Sequence, residues 1–502
     1  MRIHFICMGA ENLGVESLIS VLKNSGHNVT LSFDPAFFAD FNTVHYPVLY
    51  KLVSREDEVI RESLENKPDI IGFSSMTDNY KWNLRIAERI KAINPDIRIL
   101  FGGIHPTLVP EFVIKEGAVD FLLMGEAEYS IQKLIANINN NEKLQQIEGL
   151  WSKTKNGEII KGPDPEPIHN IDDLPFLDKE LFYSTGFISK DIYRTMCSRG
   201  CPYNCSYCCY NYLHKLLGFN KIRQRGIESV ISELLTAKRL YNYKTVHFND
   251  DIFTFNKKWV LEFLSQYKTN IKKPFSIITH PKFIDEDIAR SLKNAGCYRV
   301  QLGVQTLNPI IKRKYLKRFE TNEDIERCFT ILDRAKISYS ADQIIGLPEE
   351  DTNELFDNAI FYTRFKRLKM VNVYWLSLYP KTEIIEYVTK AEEKDIINNK
   401  INSGETTYYL MGHKSDMYQD KISLKNAEIA LLSSGSLPEY ISKMLINALR
   451  KDIYFPYSLR YLFYLLSIIS IPDYSWLSYI ENYYKNIPKI MLSKIIKKIM
   501  AK

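Results

Sequence analysis

Five of the chain's eight cysteines fall within thirteen residues, in the stretch CSRGCPYNCSYCC from Cys197 to Cys209. Three of them, Cys201, Cys205 and Cys208, stand as C-x3-C-x2-C. A loop this short lets three sulfurs converge on one small inorganic group. Thiolates are the soft ligands that zinc and iron–sulfur clusters take. A closed zinc site needs a fourth ligand, for which Cys197, Cys209 and His214 are candidates. An iron–sulfur cube held by three thiolates keeps one iron open to a substrate or cofactor. Spacing alone leaves both readings standing. Cysteines that cluster instead of spreading in pairs argue against a disulfide framework and for a reducing, cytosolic setting.

Such a loop needs a frame. Residues 190–390 alternate strand and helix patterns. Strand-like DIYRTM leads into the cysteines and helix ESVISELLTAKRLY follows them. Strands TVHFND, FSIITH, YRVQLGV, YSADQIIG and VNVYWLSL come next, with helices between. About six βα units predict a full or partial barrel, whose chemistry sits at the carboxyl ends of its strands. The cysteine loop follows the first strand, where a barrel sets its reactive groups.

Residues 1–140 alternate in the same way. RIHFICM, NVTLSFD, DIIGFSSM, RILFGG and DFLLMGE read as strands, with helices GVESLISVLKNSG and NLRIAERIKAINP among them. This predicts a parallel sheet covered on both faces, with a ligand edge at the carboxyl ends. The polar candidates there are Ser74-Ser75-Met76-Thr77, Gly102-Gly103 and Gly125-Glu126, which also fit ordinary turns; the pattern itself names no ligand. Residues 141–189 read as a proline-containing linker with a small hairpin turning at Lys155-Asn156-Gly157. Residues 391–502 read as mainly helical, tyrosine-rich and then lysine-rich. The expected class is therefore α/β: a Rossmann-like doubly wound sheet, a partial (βα)6 TIM-type barrel and a helical C-terminal segment.

Hydrophobic content of 45% and charged content of 25% fit a globular chain with a sizeable core. The net charge of +6 is local: residues 482–502 hold six lysines and no acid, and the remaining body balances. A broad phosphate-binding face is not indicated, which makes nucleic acid an unexpected partner. MRIHFICMGA runs straight into a strand, with no signal-peptide pattern. The apolar run YLFYLLSIISI (461–471) is too short to span a bilayer.

The cysteine triad, with aromatic Tyr207 before its last member and a strand before the loop, resembles the radical S-adenosylmethionine enzymes. The resemblance continues in order along the strands. FNDDIFTFN with Asp250 and Asp251 looks like the family's Asp-Asp-x-Phe segment, and RVQLGVQT with Gln305 like its fourth strand. Arg318 matches a basic residue beyond it. ADQIIGLPEE, with Ile344, Gly346 and Glu349, resembles the segment that passes the adenine, with Asp342 where many members have glycine. LSLYPKTEI resembles the sixth strand, with Lys381 for glycine. The resemblance implies a 4Fe–4S cluster on Cys201, Cys205 and Cys208, whose open iron chelates S-adenosylmethionine. It also implies reductive cleavage to a 5′-deoxyadenosyl radical, and an electron donor such as flavodoxin or ferredoxin. Cys197 and Cys209 then read as structural.

The N-terminal segments GFSSMT, GGIHPT and GEAE, followed by IDDLPFLD, are similar to the cobalamin-binding domain of the cobalamin-dependent, class B methyltransferase-like members. That implies a cobalamin site at Asn12, Ser74, Ser75, Met76, Thr77, Gly102, Gly103, Gly125 and Glu126. Many such domains carry Asp-x-His-x-x-Gly after the first strand. Here the loop reads GAENLGVES (9–17), and His27 and His105 are misplaced for that motif. Cobalt without a histidine ligand is therefore expected.

The leading reading is C-methylation of an unactivated carbon in a small-molecule or lipid-like substrate. A radical cyclase or rearrangement enzyme with the same cofactors is the alternative; a gain of one methylene separates the two. A zinc-stabilised or cobalamin-sensing protein is the non-enzyme alternative. Methylthiotransfer needs a second cysteine-held cluster, and only Cys7 precedes Cys197. Beyond Pro488, Met491, Leu492, Ile495, Ile496 and Ile499 recur at helical spacing, with Lys494 and Lys497 opposite. This basic amphipathic helix has two readings: packing on the protein, or peripheral contact with an anionic membrane.

Overall fold

The computed structural model describes the chain except residues 41–43, 46, 155, 390–393, 406–420, 452–455, 457–458, 471–480, 482–483, 493 and 495–502. Two sheets organise it. In the first, β1 (Arg2–Met8), β2 (Asn28–Asp34), β3 (Ile70–Ser74), β4 (Arg98–Gly102) and β5 (Phe121–Leu123) run parallel in the order β2-β1-β3-β4-β5. Helices cover both faces, so Ile3, Ile71, Ile99 and Leu122 are all buried. That double burial is why these strands read as unbroken apolar runs. Strand order reverses between β1 and β3, which makes their carboxyl ends the switch-point crevice of a doubly wound sheet.

The hairpin expected inside the linker extends this sheet instead. β6 (Leu150–Lys153) pairs antiparallel with β5, and β7 (Ile159–Lys161) pairs with β6. Lys155 of its turn lies outside the described residues. The helix expected from Asn83 starts earlier and spans Thr77–Ile93. Asn79 Oδ1 accepts the Met76 N–H at 2.9 Å, and Asn83 Nδ2 donates to Ser75 Oγ at 2.7 Å. These side chains satisfy first-turn groups and anchor the helix to the end of β3.

In the second sheet, β8 (Ile192–Thr195), β9 (Thr245–Phe248), β10 (Phe275–Thr279), β11 (Cys297–Gln305), β12 (Ser338–Ile345) and β13 (Leu368–Trp375) run parallel in chain order. This is a partial six-stranded barrel. Its outer layer is packed by helices, with Phe248, Phe263, Tyr267 and Phe275 in one buried cluster. On β11 the less buried side chains alternate, Gln301, Gly303 and Gln305 facing the concave side.

The C-terminal segment is part of the barrel core. Helices Lys421–Ser436 and Glu439–Arg450 bury Ala427, Ala430, Leu431, Ile446 and Leu449 in the cluster that holds β12 and β13. Trp375 Nε1 donates to Glu428 Oε2 at 3.0 Å. A Cβ on Gly435 would stand 2.9 Å from the Met370 nitrogen, so only glycine lets the helix lie this close to β13. The edge strand is thereby covered. Further on, Ile490 packs with Phe37 and Val53, and Ile487 lies against them. Met491 and Leu492 are exposed. Ile495, Ile496, Lys497 and Ile499 of the expected amphipathic helix lie outside the described residues. Among the described residues no helix is long and apolar enough to cross a membrane.

Candidate active site

The cysteine loop leaves the carboxyl end of β8 and is pinned from three sides. Asp250, after β9, accepts the Cys197 N–H at 3.0 Å and the Ser198 hydroxyl. Ser206 N–H donates to Leu316 O at 3.2 Å, and Ile384 N–H donates to Ser206 O at 2.9 Å. Gly200 turns at φ 100°, the left-handed region where a Cβ is strained. Cys197 and Cys205 are buried, whereas Cys201, Cys208 and Cys209 are partly exposed. Cys209 caps the helix Tyr210–Leu217 and, with Tyr212, packs against the first sheet's core. Burial pushes the Cys201 thiol up to about 12, and the Cys205 and Cys208 sulfurs add to the rise. Among the described residues no three His, Cys, Asp or Glu side chains are set to hold a single metal ion.

Around the loop, several residues expected at a cofactor serve the scaffold through their side chains. Both oxygens of Asp250 are taken by the cysteine loop, and burial pushes its carboxyl up to about 6. Asp251 accepts the Tyr210 hydroxyl at 2.7 Å. Tyr207 is reached by Arg318 Nη1 at 3.3 Å. Arg318 also donates to Gly303 O at 2.6 Å and to Glu320 Oε1 at 2.7 Å, tying the loop to the end of β11. Ile344 lies in an apolar cluster with Leu376 and Leu378. Gln305 sits at φ 68°, its amide turned back over Gly303.

The segment after β12 holds a residue that pattern reading missed. Glu349 has φ 57° and points into solvent, where it pairs with Lys314. Glu350 instead accepts the Gly346 N–H at 2.6 Å and the Leu347 N–H at 3.3 Å. Burial pushes its carboxyl up to about 8. Its other oxygen, Oε1, is buried with no hydrogen-bond partner among the described residues. On the concave face, Asp342 accepts from Gln301 Nε2 at 2.9 Å and Asn372 Nδ2 at 2.7 Å, a polar floor below the strand ends.

At the first sheet, the strand ends carry a second cradle. Asn12 Nδ2 donates to Ser74 Oγ at 3.3 Å across the switch point between β1 and β3. Ser75 and Thr77 are buried, their side chains bonded to Asn83 and His105, so they hold the turn and do not face outward. Met76 is 55% exposed above it. Gly103 has φ 95°, and a Cβ there would meet Ser75 N and O at 2.8 Å. A Cβ on Gly102 would meet only Leu123 O, at 3.5 Å. A side chain at Gly102 would thus sit at ordinary contact distance, so glycine there is not a steric need of the fold. Gly125 N–H donates to Thr107 Oγ1 at 2.9 Å. The His105 ring is buried against Tyr80, and His27 lies at the chain's start beside the Met1 amine.

Glu126, expected among the cobalamin contacts, is engaged by protein partners. Arg223 meets it with two nitrogens, at 2.6 and 2.9 Å, and Ile168 N–H donates to it at 2.7 Å. Arg199 of the cysteine loop lies 3.4 Å from Glu126 and 2.6 Å from Glu128. These pairs clamp the first sheet's carboxyl edge to the cysteine loop. The Tyr379 hydroxyl, after β13, lies 3.4 Å from Asp78 Oδ2. The carboxyl ends of both sheets therefore face one another.

Residues 9–135 match the family model described as B12 binding domain, and residues 195–359 match that of the Radical SAM superfamily. Together they cover more than half of the chain. The chain belongs to the cobalamin-binding radical S-adenosylmethionine enzymes. It is 28% identical over 328 residues to the uncharacterized methyltransferase PH0819 of Pyrococcus horikoshii, covering 64% of this chain and 69% of that protein. It is 24% identical to the anaerobic magnesium-protoporphyrin IX monomethyl ester cyclase of Rubrivivax gelatinosus, covering 66% of this chain and 60% of that one. In fold it is similar to OxsB, a cobalamin-dependent S-adenosylmethionine radical enzyme solved with aqua-cobalamin. The TM-score is 0.64 at 16% identity, covering 100% of this chain and 80% of that chain.

Membership in this radical S-adenosylmethionine family brings a 4Fe–4S cluster, S-adenosylmethionine and cobalamin as cofactors. The residues present fit all three. Buried thiols that raise one another's pKa ionise only against positive charge, which an iron–sulfur cluster supplies. The orphan Glu350 Oε1 fits a hydrogen-bonding adenosyl group. Gly102, paired with Ser74 and not required by the fold to be glycine, together with exposed Met76 fits a ligand lying close to the strand ends.

Proposed function

We propose that this enzyme methylates an unactivated carbon of a small molecule. The opposed strand ends carry the reading: the cobalamin cradle and the cysteine loop are clamped together by Glu126, Glu128, Arg199 and Arg223. With all cofactors bound, such a site supplies reductive cleavage of a sulfonium and delivery of a methyl group. The chain's own residues do the positioning. Cys201, Cys205 and Cys208 would hold the cluster, and Gly346 with Glu350 would seat the adenosyl group. Asn12, Ser74, Met76 and Gly102 would face cobalamin, with Gly103 and Gly125 shaping the backbone beneath it. The protein shields the reacting centre from water by bringing two sheet edges together. Gln301, Asp342 and Asn372 line the concave face, which supports a substrate with polar groups over a purely hydrocarbon one. The cyclase relative keeps ring closure as a second reading. Product mass separates them: a gain of one methylene supports methylation, and none supports cyclisation.

Titration of the anaerobically reconstituted protein with hydroxocobalamin tests the cradle. Binding with a spectrum lacking histidine ligation is expected, unchanged in His105→Ala. Glu126→Gln lowers the unfolding free energy by about 1.5–3 kcal/mol, because it weakens charge-assisted bonds to Arg223 and Arg199. Cobalamin binding persists in that variant. Unchanged urea unfolding with lost cobalamin binding would return Glu126 to the ligand set.

A cytoplasmic setting and an electron-donating protein belong to the same reading. Ile487 and Ile490 favour packing of the tail on the protein, and peripheral membrane contact, its other reading, rests on the exposed Met491 and Leu492 and on the lysines of the tail. Lysines near an anionic surface contribute about 1 kcal/mol each. Co-sedimentation with anionic vesicles is expected to fall when the chain ends at Tyr484. Equal pelleting of both forms would end the membrane reading.

A further inference from the structure

We propose that the buried pair Arg318–Glu320 sets the reduction potential of the cluster on the cysteine loop, Arg318 raising it and Glu320 lowering it. The inference rests on the radical S-adenosylmethionine reading above. It gives Arg318 an electrostatic task that the resemblance of its segment does not imply. A narrow cleft of about 20 Å³ brings the groups together: Cys205, Arg318 and Glu320 line it, with Tyr203, His280 and Lys282 among the others. Arg318 reaches into the cysteine loop itself, where Nη1 donates to the Tyr207 hydroxyl at 3.3 Å. Nη2 is fixed on Gly303 O at 2.6 Å and Nε on Glu320 Oε1 at 2.7 Å. Glu320 is anchored through its other oxygen, Oε2, which lies 3.2 Å from His280 Nε2. The guanidinium therefore bridges the carboxylate and the loop that carries Cys205.

Both charges are present at neutral pH. A guanidinium does not lose its proton, and the Glu320 carboxyl is held at about 2. Their side chains are 7% and 1% exposed, so little water screens them. Their effects on the nearest cluster sulfur are unequal. Burial pushes the Cys205 thiol up, Arg318 opposes it, and the pull of Arg318 is larger than the push of Glu320. The pair thus acts as a dipole with its positive end toward Cys205. An added electron makes a thiolate-held cluster more negative, and a nearby positive charge favours that form. Charge, hydrogen bonding and solvent exposure around the sulfurs are the levers by which a protein sets such a potential. Glu320 also makes burial of the guanidinium tolerable, while weakening its field. Lys282, the other cation of the cleft, is exposed, so salt and water screen it.

The test is a redox titration of the full reconstituted chain without S-adenosylmethionine, following the electron paramagnetic resonance signal of the reduced cluster. Dithionite supplies the one electron, and no bond forms or breaks. Iron and acid-labile sulfide are measured first in every variant. Arg318→Gln should make reduction about tenfold or more less favourable, a potential lower by about 59 mV for a one-electron couple. Glu320→Gln should shift the potential the other way. Arg318→Lys, which keeps the charge, should stay closer to wild type than Arg318→Gln does. Lys282→Gln should shift it least, and high salt should remove that shift. Opposite signs are the signature, because a loosened loop would move both halves of the pair in one direction. Shifts of the same sign in Arg318→Gln and Glu320→Gln, or an Arg318→Gln potential equal to wild type, would overturn the proposal. If Arg318→Gln holds no cluster, Glu320→Gln decides: a raised potential supports the pair, and an unchanged or lowered one overturns it. A wild-type chain that assembles no iron–sulfur cluster would instead overturn the radical S-adenosylmethionine reading, and the tuning with it.

Discussion

Replacing any one of Cys201, Cys205 or Cys208 with alanine abolishes iron–sulfur content and S-adenosylmethionine cleavage, whereas Cys197→Ala and Cys209→Ala keep both. The contrast follows from where the five thiols lie. Cys197 is 1% exposed and belongs to the barrel's apolar cluster, its N–H held by Asp250. Cys209 packs against the first sheet's core. The other three share the pinned loop between Gly200 and Cys209, where Ser206 fastens its middle to Leu316 and Ile384. Iron and acid-labile sulfide analysis of each variant is the check. A cluster retained in Cys208→Ala and lost in Cys209→Ala would shift the ligand register by one residue.

Arg318→Ala costs about 3–5 kcal/mol of stability, the scale for leaving a buried charge without its partner. Glu320 is 1% exposed at its side chain and pairs with Arg318 at 2.7 Å and His280 at 3.2 Å. Burial pushes the Glu320 carboxyl up, but the His280 hydrogen bond and the Arg318 charge outweigh it and hold it at about 2. A folded pKa below the ordinary 4.5 stabilises the fold above 4.5, and that share is lost as pH falls toward 2. Without Arg318 the Glu320 pKa rises toward its unfolded value, so this acid-side window narrows and the loss within it shrinks. Arg318→Lys recovers part of the stability but not the three-way contact to Gly303, Tyr207 and Glu320, which needs a forked guanidinium. Urea unfolding between neutral and acid pH measures both effects. Equal curves for wild type and Arg318→Ala would make the contact ornamental.

All eleven parallel strands were legible because strands buried on both faces read as apolar runs between helices. The cysteine triad was legible because its residues are adjacent in sequence. What was missed depends on distant partners or on backbone geometry. Glu349 fits the pattern of its segment, but its positive φ turns it outward and leaves the buried position to Glu350. The ion pair of Glu126 was hidden because Arg223, nearly a hundred residues later, carries no mark of the pairing. The helices after residue 420 have no motif, yet Gly435 against Met370 brings one of them onto the last barrel strand.

The most direct measurement is mass spectrometry after anaerobic incubation of the reconstituted enzyme, methyl-deuterated S-adenosylmethionine and an extract of cells lacking the gene. Carbon methylation predicts that 5′-deoxyadenosine and S-adenosylhomocysteine accumulate together while one small molecule gains a deuterated methyl group. Accumulation of 5′-deoxyadenosine with neither S-adenosylhomocysteine nor a deuterated product would contradict it.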